Sequence, residues 1–467
     1  MNKPYVHDTT DRGGRMFVKR AAELKLLEEQ YASSGNNLVI LYGRKGMGKT
    51  SLITEFISEK TVAYYYEGME CEDQLQFLLL SQRLKSEEQM TSPSDYHQLF
   101  WELPVTEGKK KTILVLDEFH YIIKNGTGIL EVLRLLNDKE HPVMIVLCSS
   151  SIRWVENEML NNLSDYAAYI TAYMKLKEYT FVDFVNRFPK SSVETCIYIN
   201  SVLGGIPEYL DLWQEDLSVK ENIKTVLLTK NSGLIHAPLQ LLKQELRDPA
   251  VYNTILYYLA QGNRKLNDLH ARTGFSRAKI SVYLKNLIQL DIVEKLVPLE
   301  DKGRENAQKG LYRIKDNFLS FWYRFVFPNL SELMLDKVND VFEQKIAPYL
   351  NAYMGEYFAD VCAEVLKLMN LHRRLPVVFL WWDRWYGKNG TIDILSQSED
   401  KKTLIGQCLW EEDTTGIQDY QRLLILAEEA RVNPDYCYLF SKKGFSDELR
   451  SMAEGREDIH LIGLEDL

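Results

Sequence analysis

Eight consecutive residues have the composition and spacing of a loop that binds phosphate groups. The segment Gly43-Arg44-Lys45-Gly46-Met47-Gly48-Lys49-Thr50 fits the pattern GxxxxGK[ST] and lies between an apolar run and a predicted helix. Glycines let such a loop aim its backbone N–H groups at an anion, and the start of the helix adds positive potential. We therefore predict that this segment, together with Ser51, binds the phosphates of ATP. Within it, Lys49 is expected to reach the β- and γ-phosphates, and the Thr50 hydroxyl to ligate Mg²⁺.

Two adjacent carboxylates follow a second apolar run. Residues 113–116 read ILVL, and Asp117 and Glu118 come directly after them. We predict that Asp117 lies in the coordination shell of the magnesium ion and that Glu118 orients or deprotonates water, so that both act with Lys49 in catalysis. The alternative is a buried strand that ends in two solvated acids. The position behind a phosphate loop favours the first interpretation, and it favours an ATPase over a small-molecule kinase.

Polar residues also follow a third apolar run, residues 143–148 (VMIVLC). Ser149 and Ser150 stand where a side chain could sense the γ-phosphate, and Ser149 is our candidate. A turn at the end of the strand is the alternative. Arg153 is interpreted as a surface residue rather than as a group that stabilises the transferred phosphate.

The elements that must position these residues alternate between strands and helices. Continuous apolar runs are typical of strands buried on both faces. Strands are predicted at residues 38–42, 62–66, 113–116 and 143–148, and helices at 21–31, 50–58, about 73–84 and about 129–137. This alternation predicts an α/β fold of the P-loop NTPase class, with a parallel sheet covered by helices.

Further along the chain the pattern predicts a helix-turn-helix followed by a wing. A turn at residues 273–275 precedes a helix over residues 276–291, with Ser276 as its N-cap and four apolar residues on one face. Residues 292–297 and 311–314 are predicted strands on either side of a charged loop. The aromatic cluster at residues 318–327 is expected to be core rather than a platform for stacked bases.

Composition limits the class of protein. A chain of 467 residues predicts several domains, and a net charge of −10 excludes a molecule that coats nucleic acid with its whole surface. The six cysteines show no paired spacing, which predicts thiols in a reducing compartment. The first residues lack the apolar segment of a secretory signal, and no run of 18 apolar residues occurs. We expect a cytoplasmic protein that does not enter a membrane.

Several segments together resemble the archaeal-type ATPases of the AAA/STAND superfamily, which also occur in bacteria. Residues 17–24 (FVKRAAEL) are similar to that family's entry box, with Lys19 in place of a glycine. Residues 203–210 (LGGIPEYL) resemble its lid motif, and residues 310–314 and 318–325 resemble the end of its winged helix. The resemblance implies that Arg20 and Glu23 lie near the adenine.

The resemblance also implies an order of domains. We expect a polar segment at 1–15, a P-loop ATPase domain at 16–175, a helical lid at 176–247, a winged helix at 248–330 and a restriction-endonuclease-like domain at 331–467.

The last domain departs from the nuclease pattern that it resembles. Such nucleases hold a divalent metal with an acid on a first helix, an aspartate on one strand and an ExK motif on the next. Asp393 matches the aspartate, but Gln407 and Leu409 replace the acid and the lysine, and the first-helix glutamate falls on Ala359, with Glu356 and Glu364 nearby. We predict a vestigial, inactive site. A nuclease that still works through Glu356, Glu364 and Asp393 is the alternative.

The winged helix has two interpretations. Residues 248–313 contain eleven Lys and Arg against seven Asp and Glu, which gives +4 in a chain of −10. Arg277, Lys279 and Lys285 lie on or beside the predicted recognition helix, where they could contact double-stranded DNA, and Lys302, Arg304 and Lys309 lie in the wing. The alternative is a packing or switching module. The sequence thus leaves open a Mg²⁺-dependent ATPase that changes the packing of its other domains and an ATP-gated DNA-binding module with little turnover.

Overall fold

The computed structural model describes residues 20–84, 93–101, 110–124, 128–137, 141–296 and 310–467. The chain divides into an N-terminal unit, Met1–Glu178, and a C-terminal unit, Tyr179–Leu467. Three groups of residues with predicted roles lie outside the described residues. They are the polar segment at 1–15, the first three residues of the entry box (Phe17, Val18 and Lys19) and the wing residues Lys302, Arg304 and Lys309. In the described parts of the chain, no helix has both the length and the apolar character that crossing a membrane requires.

A five-stranded parallel sheet forms the centre of the N-terminal unit. Its strands are β1 (Asn37–Tyr42), β2 (Ala63–Glu67), β3 (Thr112–Asp117), β4 (Val143–Ser149) and β5 (Ile170–Lys175). They lie in the order β2-β3-β4-β1-β5. Every residue of β1, β3 and β4 is buried, as their continuous apolar runs predicted. The predicted α/β fold with a parallel sheet is confirmed, and β5 is an edge strand that the sequence analysis did not identify.

Helices pack on both faces of this sheet. They are α1 (Ala21–Ala32), α2 (Lys49–Ile57), α3 (Asp73–Leu84), α4 (Tyr96–Trp101), α5 (Phe119–Lys124), α6 (Ile152–Asn157) and α7 (Met159–Leu163). Two 3₁₀ helices, Gly128–Asn137 and Ser164–Tyr169, complete the described helical segments. The stretch predicted as a helix at about 129–137 therefore has the tighter 3₁₀ form, in which four apolar side chains are still buried.

The order of the strands explains why the predicted site residues can meet. Strand β4 lies between β1 and β3, and all three are parallel, so their carboxyl ends are neighbours at one edge of the sheet. The phosphate loop follows β1, the two carboxylates follow β3, and the serines follow β4. This edge is where open α/β sheets bind their ligands.

The C-terminal unit begins with helices and continues into a winged helix. Its first helices are α8 (Phe181–Arg187), α9 (Val193–Leu203), α10 (Pro207–Leu210), α11 (Val219–Ile223) and α12 (Ala237–Glu245). The winged helix consists of α13 (Pro249–Ala260), α14 (Leu266–Thr273), α15 (Arg277–Gln289), β6 (Val293–Leu296) and β7 (Leu311–Ile314), with β6 and β7 antiparallel. Ser276 caps α15 by accepting a hydrogen bond from the N–H of Lys279 at 3.2 Å. The predicted helix-turn-helix and its N-cap are confirmed.

A mixed sheet forms the last part of the C-terminal unit. It is preceded by α16 (Asn317–Phe321), α17 (Leu330–Met334), α18 (Val338–Val341) and the long helix α19 (Ala347–Leu371). The strands are β8 (Phe379–Tyr386), β9 (Thr391–Ser398), β10 (Thr403–Leu409), β11 (Tyr436–Ser441) and β12 (Ile459–Gly463), with α20 (Ile417–Glu429) and α21 (Asp447–Ala453) between them. Strands β8, β9 and β10 pair antiparallel, and β10, β11 and β12 pair parallel.

The aromatic cluster after β7 is core, as predicted. Phe318, Phe321, Trp322, Tyr323 and Phe325 are buried, and Phe327 is partly buried and packs against the same core. The polar atoms of two of them are satisfied, because Trp322 donates to the carbonyl of Ile235 at 2.9 Å and Tyr323 donates to Asn253 at 2.6 Å. These rings therefore serve packing and are not available to stack on bases.

Arginine side chains connect the winged helix to α19 and the mixed sheet. Arg264, between α13 and α14, donates to both carboxylate oxygens of Glu356. Arg313 of β7 donates to both oxygens of Asp360 at 3.1 Å, and Arg384 of β8 donates to Asp360 at 3.0 Å. Burial raises the pKa of Asp360, but the charges of Arg313 and Arg384 outweigh burial and hold that pKa below its ordinary value. The acids of α19 thus hold arginines, and the winged helix is fixed to this helix.

Candidate nucleotide-binding site

The loop after β1 has the backbone conformation that its glycines predict. Gly43, Gly46 and Gly48 have φ values of 154°, 84° and 83°, in a region that L side chains rarely adopt. Gly43 also has no room for a side chain, because a Cβ placed there would lie 2.9 Å from the carbonyl oxygen of Leu176. The close approach of β1 and the chain after β5 therefore requires glycine at this position.

Lys49 opens α2 and is buried against this loop. Only 5% of the residue is exposed, and its ammonium group donates to the carbonyl oxygens of Gly43 at 2.9 Å and Arg44 at 3.3 Å. Met47 is buried in the same loop, while Lys45 and Ser51 are exposed. The structure thus brings a positive charge, three flexible glycines and a helix N-terminus together, which is a site suited to phosphate groups.

Thr50 and Asp117 meet across the loop. Asp117 is 2% exposed, and its Oδ2 accepts hydrogen bonds from the Thr50 hydroxyl at 2.9 Å and from the Tyr65 hydroxyl at 2.8 Å. A hydroxyl and a carboxylate side by side fit Mg²⁺, which takes few protein oxygens and completes its shell with water and phosphate oxygens. Among the described residues, no group of three or more His, Cys, Asp or Glu is arranged to hold a metal by itself.

Tyr65 is a site residue that the sequence did not reveal. Burial, and next the charge of Asp117, raise the pKa of its hydroxyl, so it stays protonated and donates to the carboxylate. Burial, with the charges of Asp117 and Glu118, also raises the pKa of Glu67, whereas Lys45 lowers it. The edge of the sheet is therefore rich in carboxylates, which the cations of the loop partly offset.

Glu118 is held by the residue after β4. Its backbone has φ of 48°, and its Oε2 accepts from the N–H of Ser150 at 2.9 Å and from the hydroxyl of Ser150 at 2.7 Å. The nearest imidazole nitrogen, Nδ1 of His120, lies 3.4 Å from the same oxygen and 3.0 Å from Oγ of Ser149. The predicted sensor Ser149 thus contacts His120, and Ser150 contacts the carboxylate.

His120 has the electrostatic environment of a neutral imidazole. Burial lowers its pKa, the charge of Glu118 acts in the opposite direction, and the charge of Lys49 adds to the lowering. The outcome is a pKa below its usual value. The sequence alone did not identify His120, because its contact with Ser149 depends on β4 lying beside β3.

Arg20 lies against the phosphate loop. It is buried and donates to the carbonyl oxygens of Met47 and Lys177, both at 2.9 Å, and to Glu23 at 3.3 Å. Arg44 is also buried and forms an ion pair with Glu178 at 3.7 Å. Both arginines therefore support the backbone around the site. The placement of Arg20 and Glu23 near an adenine stays a prediction.

The predicted DNA-contact residues lie on the exposed face of α15. Arg277, Lys279 and Lys285 are exposed. Arg277 donates to Asn267 at 2.8 Å, and the ammonium of Lys279 lies 4.4 Å from the ring centre of Phe275. Val282, between them on the same helix, is 58% exposed. The exposed face of α15 therefore carries three cationic side chains and the apolar side chain of Val282.

The residues predicted to form a vestigial nuclease site are adjacent in the mixed sheet. Oδ2 of Asp393 on β9 accepts from the side-chain amide of Gln407 at 2.6 Å and from the N–H of Cys408 at 2.9 Å. Burial raises the pKa of Asp393. Leu409 follows on β10. One carboxylate oxygen of Asp393 thus already accepts from two donors of the protein itself.

The other candidate acids for a nuclease are also engaged. Glu364 on α19 accepts from the N–H of Phe181 at 2.6 Å, and Ala359 is buried. Glu356 holds Arg264 through both of its oxygens. The resemblance of this domain to restriction endonucleases stays a prediction.

Three protein families match successive parts of the chain. Residues 17–212 match a family described as an ATPase domain predominantly from Archaea. Residues 253–295 match the arsR family of bacterial regulatory proteins, and residues 322–420 match a family of archaeal and bacterial proteins of unknown function.

Two proteins of Methanocaldococcus jannaschii are similar in sequence to this chain. An uncharacterized protein of that organism is 30% identical over 457 residues, which cover 92% of this chain and 100% of the relative. An uncharacterized ATP-binding protein of the same organism is 47% identical over 47 residues, 10% of this chain and 80% of the other.

Solved structures with a similar course of the chain include two from archaea. The Walker-type ATPase of Pyrococcus abyssi is 16% identical, with 66% of this chain and 96% of the other covered and a TM-score of 0.47. The ORC2 protein of Aeropyrum pernix, in ADPNP–ADP complexes, is 15% identical, with 73% and 98% covered and a TM-score of 0.44.

Replacing Gly43 with alanine should destabilise the protein more than replacing Gly35. Both glycines have positive φ, so either substitution costs about 1 kcal/mol of backbone strain. At Gly43 the new Cβ would also lie 2.9 Å from the carbonyl oxygen of Leu176, whereas at Gly35 nothing lies within 4 Å. Thermal unfolding followed by circular dichroism should therefore show a clearly lower Tm for Gly43→Ala. Equal Tm values for the two variants would contradict the close approach.

Proposed function

Because the chain belongs to the archaeal ATPase family, we propose that it binds ATP with Mg²⁺ at Gly43–Thr50 and hydrolyses it to ADP and phosphate. The observation that carries this proposal is the contact of 2.9 Å between the Thr50 hydroxyl and the Asp117 carboxylate, beside a buried Lys49. We propose further that the nucleotide state changes the packing of the winged helix and the C-terminal sheet. The phosphate loop alone does not require this second step.

Each group of the site has a role in the proposed hydrolysis. The N–H groups of the loop and the Lys49 ammonium bind the β- and γ-phosphates. Thr50 and Asp117 would hold Mg²⁺, which neutralises phosphate charge when bound. Glu118 orients a water molecule and takes its proton. The water oxygen then bonds to the γ-phosphorus, the bond to the bridging oxygen breaks, and ADP leaves.

Replacing Glu118 with glutamine should abolish phosphate release and leave ATP binding intact. The amide keeps the size of the side chain but cannot accept the proton of water, so kcat should fall at least about 100-fold. Phosphate release and the Kd for ATP are the two measurements. Glu70→Gln is the matched control, because Glu70 is 66% exposed and pairs only with the surface Lys124 in the described structure. A Glu118→Gln protein with wild-type turnover would contradict the assigned role.

We propose, as a second function, that α15 contacts double-stranded DNA. The exposed cations Arg277 and Lys285 and the +4 balance of residues 248–313 support it, and so does the match to a family of regulatory proteins. The firm attachment of this module to α19 through Arg264 and Arg313 is compatible with a reader of DNA whose orientation is set by the C-terminal unit.

We propose that the C-terminal sheet does not cut DNA. Asp393 is the one acid that remains of the expected metal-binding set at this position, and a lone carboxylate does not hold a catalytic Mg²⁺. Its Oδ2 already accepts two hydrogen bonds from Gln407 and Cys408. A cation would have to displace both donors.

Reversing one charge on α15 should weaken DNA binding if this helix enters a groove. Arg277→Glu and Lys285→Glu should each raise the Kd for a duplex roughly tenfold and flatten its dependence on salt, since each removes a phosphate contact. Arg422→Glu, exposed on α20, is the control. Repeating the titration with ATP and with ADP tests whether the nucleotide changes the affinity for DNA.

The C-terminal sheet should leave DNA intact. A duplex incubated with the protein in Mg²⁺ or Mn²⁺ should be recovered uncut. Cleavage that is lost in Asp393→Ala would establish an active nuclease instead.

A further inference from the structure

A chain of polar contacts connects the phosphate loop to Glu118 through the end of β4. The N–H of Gly43, the first residue of the loop, donates to the carbonyl oxygen of Ser149 at 3.2 Å. The side chain of Ser149 lies 3.0 Å from Nδ1 of His120, and that nitrogen lies 3.4 Å from Oε2 of Glu118. Two residues, Ser149 and His120, thus bridge the loop and the carboxylate.

The carboxylate at the end of this chain depends on its neighbours for its position. Glu118 has φ of 48°, an unfavourable conformation for a non-glycine residue that the surrounding contacts must stabilise. Ser150 supplies two of these contacts, through its N–H at 2.9 Å and its hydroxyl at 2.7 Å. The N–H of Glu118 adds a third, to Oδ1 of Asp117 at 2.9 Å.

His120 is fixed where it can connect these groups. Its side chain is 13% exposed, and its ring lies 4.0 Å from the ring of Tyr121 and 6.3 Å from that of Trp154. An imidazole with its proton on Nδ1 would donate toward both Ser149 Oγ and Glu118 Oε2. A carboxylate at 3.4 Å favours that tautomer over the one that would turn a lone pair toward it.

We propose that His120 is a positioning residue for ATP hydrolysis, which couples Ser149, next to the phosphate loop, to the orientation of the Glu118 carboxylate. This inference rests on the proposed role of Glu118. The carbonyl oxygen of Ser149 contacts the loop, and its hydroxyl contacts His120. A movement of β4 relative to the loop would therefore change the position of the imidazole and, through it, that of the Glu118 carboxylate. The polar contacts of His120 given by the described structure are those with Ser149 and Glu118, and we infer that it acts through these two residues.

Single substitutions at His120 separate this role from simple packing. His120→Ala should lower kcat about tenfold or more, because a misplaced base costs at least that much, while the KM for ATP stays within about twofold. His120→Asn should recover most of kcat, since its amide can occupy the place of Nδ1. His372→Ala, exposed after the end of α19, is the control and should equal the wild type. A wild-type kcat in His120→Ala, or an Asn variant no better than the Ala variant, would overturn the proposal.

A double-mutant cycle tests the coupling itself. Ser149→Ala changes little volume and should fold normally, so it keeps the proposal testable even if His120→Ala is unstable. It should lower kcat with an unchanged KM, and the double variant should be no slower than the slower single variant, because both remove one connection. Losses of kcat that multiply independently in the double variant would overturn the coupling.

The Glu118→Gln variant separates a failure of this inference from a failure of the proposed function. If Glu118→Gln keeps wild-type turnover, the proposed function fails. If Glu118→Gln is inactive while His120→Ala and Ser149→Ala have normal turnover, only this inference fails.

Discussion

The hydrogen bond between Thr50 and Asp117 is the contact on which the whole site depends. It joins the first turn of the helix after β1 to the end of β3, two strands away, and it can form only because β1, β4 and β3 are parallel and adjacent. Full burial of these strands fixes their ends relative to one another, because a shift of one strand would expose apolar residues that now fill the core. The chemistry at the edge is therefore set by packing within the sheet.

Cations and carboxylates are balanced at this edge. Lys49 is buried against the loop, and Asp117, Glu118 and Glu67 lie on the neighbouring strand ends. Burial raises the pKa of Glu67, and the negative charges of Asp117 and Glu118 add to this effect. A bound Mg²⁺ would offset these negative charges, since it is a local charge larger than any side chain can supply.

The sequence predicted where the loop Gly43–Thr50, Asp117 and the Ser276 cap lie in the fold. Each of them combines a recognisable spacing with one strand-to-helix or turn-to-helix junction. The edge strand β5 was not predicted, because its residues alternate in exposure and lack the continuous apolar run of β1, β3 and β4. Tyr65 and His120 were not predicted for another reason. The contact of Tyr65 with Asp117 and that of His120 with Ser149 each join two neighbouring strand ends, and spacing along the chain does not report which strand lies beside which.

The carboxylates of the C-terminal unit find their partners within the protein. Glu356 and Asp360 on α19 hold arginines, and Asp393 holds an amide and a backbone N–H, so each carboxylate is satisfied without a metal. Buried charges need such partners, because an unpaired one costs several kcal/mol. The same contacts attach the winged helix to the C-terminal sheet, which gives these residues a structural use independent of any cleavage.

The most direct test of the account is calorimetric titration of the purified protein with ATP in a buffer that contains Mg²⁺, for the wild type and for Lys49→Ala. The account predicts that the wild type binds ATP at least about 100-fold more tightly, because Lys49→Ala removes charge-assisted hydrogen bonds to the phosphates. Equal affinity of the two proteins, or no binding by the wild type, would contradict a nucleotide site in the loop after β1.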